Sequence, residues 1–281
     1  MGTHANMLLT AIAVFLLVEI PYISNAATNF RTRRSAEILQ DTNLDDIKAE
    51  ISFGRDVAAR ILGNIELNKD EVLTRYINLI GTGLAANAGR PEIDFHFAVI
   101  DSDSVNAFAA PGGYVFVTTG ALLTMEDEAE LAAVLSHEIS HISAKHIVKE
   151  LKIRGEDKEG KAMTSLIGGS SDPIRLALQQ MVDQAMNILL ERGYLKLDEF
   201  ESDQIGTALL ILSDYDPTAL KRYLLRIKTV KPTATTDINR THPPTNERID
   251  AIDAFLNTNG LANLDQGTIN QERFKHYVHL N

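Results

Sequence analysis

The sequence has 281 residues, 44% of them hydrophobic and 23% charged, and its 27 basic and 38 acidic residues give a net charge of −11. This composition excludes a disordered chain and, without a basic cluster, argues against a nucleic-acid-binding protein. The absence of cysteine excludes disulfides, thiolate metal sites, a cysteine nucleophile and an N-terminal lipoprotein anchor, so any metal site must use histidine and carboxylate side chains.

Residues 1–26 have the features of a secretory signal peptide. The apolar run 7–18 is followed by the small residues 24–27, which fit a cleavage site of the A-x-A type. Two alternatives stay open, an anchor over residues 7–23 that is not cleaved and a buried N-terminal helix, because Glu19 and the lack of a basic residue before the run weaken the signal pattern. A membrane span needs roughly 20 apolar residues, so cleavage is favoured. We expect an exported protein of the periplasm or cell envelope.

A polar linker over residues 27–42 precedes a predicted domain over 43–281. Apolar residues at helical spacing predict helices over 44–65, 70–88, 128–151, 173–192, 197–213, 217–227 and 245–257. Alternating apolar residues predict strands over 93–100, 106–110 and 114–119. The pattern indicates an α+β fold, mostly helical, with a small antiparallel sheet. The glycine-rich and charged segment 155–172 is a candidate lid.

The motif that indicates chemistry is His137-Glu138-x-x-His141, within the predicted helix 128–151. Residues four apart on a helix project side by side, so both imidazoles can bind one tetrahedral metal ion. Glu138 lies about 100° round the helix from His137, where its carboxylate can reach a water in the open coordination position. The alternative is two solvated histidines, but the pair borders an apolar stripe of the helix. The motif therefore predicts a zinc peptidase centre.

A third protein ligand must come from elsewhere in the chain. The metzincin pattern is excluded because Ile147 stands where its third histidine belongs and Ala144 replaces its glycine. A later predicted helix offers Glu199, Glu201 and Asp203. Glu199 and Asp203 share one face, where one carboxylate can bind metal while the other orients a ligand, and Glu201 points to another face. The competing interpretation is a solvated acidic helix start.

Four segments in order along the chain resemble one family of metallopeptidases. They are NAFAAPGGYVFVTTG (106–120), SHEISHISAKH (136–146), DEFESDQIG (198–206) and THPPTNERI (241–249). They resemble the secreted and membrane-associated gluzincins of the HtpX, BepA and CAAX prenyl protease type, metallopeptidase family forty-eight. The resemblance covers about residues 43–260 and implies a zincin-like fold with one zinc ion per chain. It implies His137, His141 and Glu199 as zinc ligands.

The resemblance also implies roles for residues around the metal. Glu138 is implied as the general base and Asp203 as a residue that orients a ligand, whereas His146 matches a position that is not a ligand and is expected to be structural. His242 is implied to approach the zinc, either to stabilise the oxyanion or to occupy the open position as an inhibitory switch. The alternative is an ordinary loop histidine before a proline-capped helix. Arg248, on that helix, is expected to support the site.

The implied activity is zinc-dependent hydrolysis of peptide bonds, with unfolded or damaged envelope proteins as substrates. An extended substrate is expected along a sheet edge, whose predicted residues are Asn106, Ala107, Phe108, Ala109 and Ala110. Two rival functions remain, a latent zinc protein that acts as an envelope chaperone or assembly factor, and a structural zinc site, which three protein ligands disfavour. Expected partners are unfolded polypeptides, with peripheral membrane association in addition and no nucleic acid. The oligomeric state is left open.

Overall fold

The structure is a computed structural model of the full sequence, and it describes residues 43–155, 172–230, 241–262 and 267–279. The predicted signal peptide and linker lie outside the described residues, as does nearly all of the candidate lid over 155–172. No helix among the described residues combines the length and the apolar character that crossing a membrane requires.

Two helices and a three-stranded sheet form the first half of the described chain. They are α1 (Leu44–Leu62), α2 (Glu71–Ala85), β1 (His96–Ile100), β2 (Ala107–Ala110) and β3 (Tyr114–Thr118), with a 3-10 turn over Pro111–Gly113. Both helices begin where a polar side chain accepts hydrogen bonds from first-turn amides, Asn43 for α1 and Asp70 for α2. Such caps satisfy donors that a helix start leaves unpaired.

The small sheet is mixed, so the prediction that it is antiparallel throughout is wrong. The strand order is β1-β3-β2, with Phe108 of β2 antiparallel opposite Phe116 and Ala98 of β1 parallel opposite the same residue. Because β3 inserts between two strands that run in opposite directions, it must be parallel to one of them. Alternating hydrophobicity predicts a strand but does not determine its neighbours. The predicted α+β class, mostly helical, is confirmed.

The helix predicted over 128–151 is two helices, so this prediction is wrong as well. They are α4 (Glu128–Ser143) and α5 (His146–Glu150). Between them Lys145 has a φ of 59°, and a left-handed residue turns the chain out of a right-handed helix. Lysine is not a residue that usually signals this conformation.

The remaining described chain is helical. It forms α3 (Thr119–Thr124), α6 (Asp172–Asn187) with a π-helical turn over Ile188–Arg192, α7 (Lys196–Leu212), α8 (Ala219–Ile227), α9 (Thr245–Thr258) and α10 (Gln271–Tyr277). Two of these, α3 and α10, lie outside the helices that the sequence predicts. Both are short, which makes helical periodicity hard to recognise.

Apolar residues cover both faces of the sheet. Val115 and Val117 point into a core shared with α2, α4, α7, α8 and α9, whereas Phe108 and Phe116 point into a second core with α1, α5 and α6. Helix α4 is buried along almost its whole length. Its polar side chains therefore need partners inside the protein, since an unpaired buried polar group is costly.

Candidate metal centre

Helix α7 packs closely along α4 and brings acidic side chains to the two histidines of the motif. Gly206 favours the close approach, because a Cβ there would stand 3.1 Å from the backbone nitrogen of His137, a tight contact. Three and seven residues before this glycine, α7 carries Asp203 and Glu199, both fully buried. The shared face predicted for these two carboxylates is thus the face that meets α4.

Three side chains converge on one point at the interface of α4 and α7. The Nε2 atoms of His137 and His141 are 3.2 Å apart, and each lies 3.5 Å from a carboxylate oxygen of Glu199. Ligand atoms about 2.1 Å from a tetrahedral zinc ion are about 3.4 Å from one another. The spacing therefore matches three ligands of one tetrahedral ion.

The surroundings of the Glu199 carboxylate indicate whether a metal ion fits this site. Both of its oxygens are fully buried, and neither has a hydrogen-bond partner among the described residues. A buried carboxylate needs a positive charge beside it, which either a protonated His137 or a bound cation would supply. The residues present therefore fit a metal ion.

The charges around the three groups also favour a cation. Burial, which alone would raise the pKa of Glu199, is outweighed by His242, His137 and Arg248, which keep that pKa below its ordinary value. Burial and the neighbouring His137 hold the pKa of His141 well below its ordinary value. One ligand is therefore anionic and one neutral, the forms in which these side chains bind metals.

His137 is held from behind by Asp203. The Nδ1 atom of His137 lies 3.0 Å from Oδ1 of Asp203, so that Nε2 faces the other ligands. Burial and Arg248 lower the pKa of His137, but its contacts with Asp203 and Glu199 raise it to about 9. Without a metal this ring binds a proton, which a bound cation would displace.

Arg248 completes this support. Arg248 is 3% exposed, and its guanidinium donates two hydrogen bonds to Asp203, of 2.9 Å and 2.6 Å. Burial alone would raise the pKa of Asp203, and Arg248 is the main reason that it falls to about 2. Arg248 contacts Asp203, which in turn contacts His137, so both residues predicted to support the site are connected to this ligand.

Glu138 and His242 lie beside His137, and one donor atom from each of these three residues lies within 4.8 Å of the others. With Ala107, His137 and Arg248 they line a cavity of about 20 Å³, roughly the space that holds one water molecule. Burial, reinforced by Glu199 and opposed by His137, raises the pKa of Glu138 to about 7. Glu138 is therefore placed beside a water-sized space and can exchange a proton near neutral pH.

The segment that carries His242 packs closely against the chain at Gly193. A Cβ on Gly193, whose φ is 77°, would stand 1.9 Å from the carbonyl oxygen of Thr241, so only glycine lets the two segments pass. Nε2 of His242 lies 3.7 Å from a carboxylate oxygen of Glu199, and its Nδ1 lies 2.9 Å from Oγ1 of Thr241. Burial lowers the pKa of His242 to about 4, so the ring is neutral at pH 7.

The two edges of the sheet differ. The edge of β1 is covered, because the Asn78 side chain exchanges hydrogen bonds of 2.7 Å and 3.2 Å with the backbone of Phe97, and Asn68 donates to the carbonyl of Val99. The edge of β2 faces the candidate centre, where Ala107 lines the cavity beside Glu138. The predicted edge strand, residues 106–110, is thus the one beside the site.

Tyr194 is a residue of the site that the sequence does not predict. Its ring stacks on His141 with 3.8 Å between ring centroids, and its hydroxyl donates a 3.2 Å hydrogen bond to the carbonyl of Ala109. It therefore connects a predicted metal ligand to the edge of β2. Nothing in the local sequence pattern around it signals this position.

His146 contacts the Nδ1 side of His141, whereas Glu199 lies on the Nε2 side. The Nδ1 atoms of the two rings are 2.9 Å apart, and Nε2 of His146 lies 3.2 Å from Glu201. Glu201 points away from the three converging groups, as predicted, and its side chain is 51% exposed. Neither residue lines the cavity beside Glu138.

Comparison with known proteins gives consistent matches. The sequence model of Peptidase family M48 matches residues 71–256. The beta-barrel assembly-enhancing protease of Escherichia coli (strain K12) is 30% identical over 188 residues, which cover 64% of this chain and 38% of that protein. The mitochondrial metalloendopeptidase OMA1 of Schizosaccharomyces pombe is 28% identical over 185 residues, covering 65% of this chain and 53% of the relative. The chain thus spans well under two thirds of the length of these relatives.

Proposed function

Because the chain belongs to peptidase family M48, as its four sequence segments predicted, we propose that it is a zinc-dependent metalloendopeptidase. The observation that carries the proposal is the carboxylate of Glu199, buried without a hydrogen-bond partner among the described residues and 3.5 Å from Nε2 of both His137 and His141. Three protein ligands leave one coordination position open, which is typical of catalytic zinc and unlike structural sites with four protein ligands.

The proposed chemistry assigns the proton transfers to Glu138. A zinc ion held by His137, His141 and Glu199 would act as a Lewis acid and make water more acidic. Glu138 would accept the proton of a water in the adjacent cavity and deliver it to the leaving amine. Burial raises the pKa of Glu138 in the metal-free protein, which favours accepting a proton, and the charge of a bound zinc ion would lower that pKa again, which favours releasing the proton.

His242 would stabilise the oxyanion that forms on the scissile carbonyl. If the hydroxyl of Thr241 donates to Nδ1, the proton of the neutral ring is on Nε2, which points towards Glu199 and can serve as the donor. If Nδ1 instead donates to Thr241, Nε2 presents a lone pair and can bind the metal. The same geometry therefore supports both roles considered for His242, and the position of one proton decides between them.

The proposed substrates are extended polypeptides that pair with the edge of β2. This edge lies beside the cavity lined by Glu138, whereas Asn78 covers the edge of β1. Main-chain pairing binds peptides with little sequence demand, which suits unfolded chains. The name of the Escherichia coli relative refers to β-barrel assembly, and we propose misfolded or damaged envelope proteins, in the periplasm or at the cell envelope, as the substrates here.

A second candidate function is a latent zinc protein that acts as an envelope chaperone or assembly factor. Two observations favour it: the cavity beside Glu138 holds only about one water molecule, and Nε2 of His242 lies 3.7 Å from Glu199, close enough to reach the same ion. In that state His242 would occupy the open position.

The test of the proposed function is zinc content and casein cleavage for the wild type and for Glu138→Gln. We expect about one zinc ion per chain in both proteins and a loss of cleavage of about 10²-fold or more in the variant, since the amide cannot accept the proton. Glu272→Gln, an exposed position on α10, is the matched control. Cleavage retained in Glu138→Gln would contradict the proposed chemistry, and a wild type without zinc would contradict the metal centre.

A further inference from the structure

Behind His141, on the side away from the other ligands, a second histidine and a carboxylate continue the line of contacts. Nδ1 of His141 lies 2.9 Å from Nδ1 of His146, and Nε2 of His146 lies 3.2 Å from Oε2 of Glu201. His146 is 3% exposed. Each nitrogen of its ring thus has one hydrogen-bond partner, a predicted metal ligand on one side and a surface carboxylate on the other, and the carboxylate of Asp198 lies farther from Nε2, at 3.9 Å.

The break between α4 and α5 creates this arrangement. On a continuous helix, residue 146 would lie about 140° round the axis from residue 141 and point elsewhere. Lys145, with a φ of 59°, turns the chain back at this point. The ring of His146 consequently meets that of His141 edge-on, with 5.0 Å between centroids and an angle of 74°.

The positions of the protons follow from the direction of His141, if the proposed metal centre is accepted. Nε2 of His141 faces Glu199 and His137, so it presents the lone pair and the proton of the neutral ring is on Nδ1. Nδ1 of His141 must then donate to Nδ1 of His146. The proton of His146 is left on Nε2, where it is donated to Glu201.

We propose that His146 is a positioning residue that fixes the tautomer and ring orientation of His141, with Glu201 as the terminal acceptor. The proposal rests on the proposed function, because it takes Nε2 of His141 as the atom that faces the metal. It parallels the support of His137 by Asp203, since residues behind a ligand orient it and strengthen metal binding. The two supports differ in exposure: Asp203 is fully buried, and the side chain of Glu201 is 51% exposed.

The same proton assignment argues against a second metal ion at His146. Donor atoms of His146, Asp198 and Glu201 lie within 4.8 Å of one another, which is compact enough to hold a cation. A cation on Nε2 of His146 would move the proton of that ring to Nδ1. Two N–H groups would then face each other at the 2.9 Å contact with His141. The arrangement therefore predicts that these three residues hold no second metal ion.

The test compares zinc affinity in two substitutions of His146, measured by competition with a chromophoric chelator. His146→Leu removes the acceptor, whereas the side-chain oxygen in His146→Asn stands near the position of Nδ1 and can accept the same hydrogen bond. We expect the Kd for zinc to rise about 10- to 100-fold in His146→Leu and to return to within about threefold of wild type in His146→Asn. His96→Leu, at an exposed position of β1, is the control and should leave the Kd unchanged.

Urea unfolding of the metal-free variants separates a loss of zinc affinity from a loss of fold. If His146→Leu does not fold, Glu201→Ala replaces it, because this exposed site tolerates truncation, and a rise in Kd of several-fold is expected against Glu272→Ala. An unchanged Kd in His146→Leu, a His146→Asn protein as weak as His146→Leu, or two zinc ions per wild-type chain would overturn the proposal. A wild type that binds no zinc would instead overturn the proposed function.

Discussion

Asp203 and Arg248 are joined by two hydrogen bonds, of 2.9 Å and 2.6 Å, in a region where neither side chain is more than 4% exposed. The pair stands directly behind His137, whose Nδ1 lies 3.0 Å from Asp203. Asp203 therefore has two roles: it neutralises the buried guanidinium of Arg248, and it holds the predicted metal ligand His137 in one orientation. A substitution of Asp203 should therefore affect both the fold and metal binding.

Asp203→Asn should weaken both the fold and zinc binding. The amide keeps the shape of the carboxylate but leaves the charge of Arg248 unpaired, which we expect to lower the free energy of unfolding by about 3–5 kcal/mol. The Kd for zinc should rise about 10- to 100-fold because the orientation of His137 is no longer fixed. Urea unfolding of the metal-free protein and chelator competition measure the two effects, and Asp250→Asn, on the exposed side of α9, is the control. Unchanged values of both quantities would contradict these roles.

His242→Ala distinguishes the two roles considered for this histidine. As an oxyanion donor, its loss should reduce kcat/KM by about 10²- to 10³-fold while zinc content stays the same. As an inhibitory ligand, its loss should increase casein cleavage, because the open position becomes accessible. We expect the decrease. Cleavage assays with zinc quantified in the same samples decide between them, and an increase would support the latent zinc protein.

Tyr194→Phe tests whether substrates pair with the edge of β2. The variant keeps the ring on His141 but removes the hydroxyl that donates to the carbonyl of Ala109. If a substrate amide competes for this carbonyl, KM should fall about two- to tenfold with kcat nearly unchanged, the effect of one hydrogen bond. Steady-state kinetics on a fluorogenic peptide measure both constants. An unchanged KM would indicate that substrates do not use Ala109.

Glu128 is expected to stabilise the fold at a position far from the metal centre. This fully buried residue begins α4 and accepts hydrogen bonds from Tyr76, Tyr215 and Asn270, together with a salt bridge from Arg273. It thereby attaches α10 to the start of the motif helix. Glu128→Gln should lower the free energy of unfolding at pH 7 by about 2–4 kcal/mol, because four donors lose an anionic acceptor.

The effect of Glu128 should also depend on pH. Burial alone would raise its pKa, but the bonds from Arg273, Asn270, Tyr215 and Tyr76 lower it below the ordinary 4.5. A depressed pKa contributes stability above the unfolded value, and that contribution is lost as the pH falls through the folded value. The difference between wild type and Glu128→Gln should therefore be constant from pH 6 to 8 and shrink below about pH 4.5. Urea midpoints at pH 7 and pH 4 measure it, and an equal difference at both would contradict the assignment.

The spacing of His137, Glu138 and His141 predicted two metal ligands and the glutamate beside them without information from the rest of the chain. Helical periodicity is a local property of the backbone, so residues four apart share a face wherever the helix lies. The same reasoning placed Glu199 and Asp203 together on α7. Choosing between them, and adding His242 and Arg248, required the resemblance to a family, because spacing does not say which helices meet.

Only the tertiary structure decided the features that depend on long-range packing. The insertion of β3 between β1 and β2, the stacking of Tyr194 on His141 and the attachment of α10 through Glu128 join segments far apart in sequence. The turn at Lys145 is local, yet its conformation is one that lysine seldom adopts on its own. Periodicity reports which side of an element is buried, whereas the partner of that side is set by how the whole chain packs.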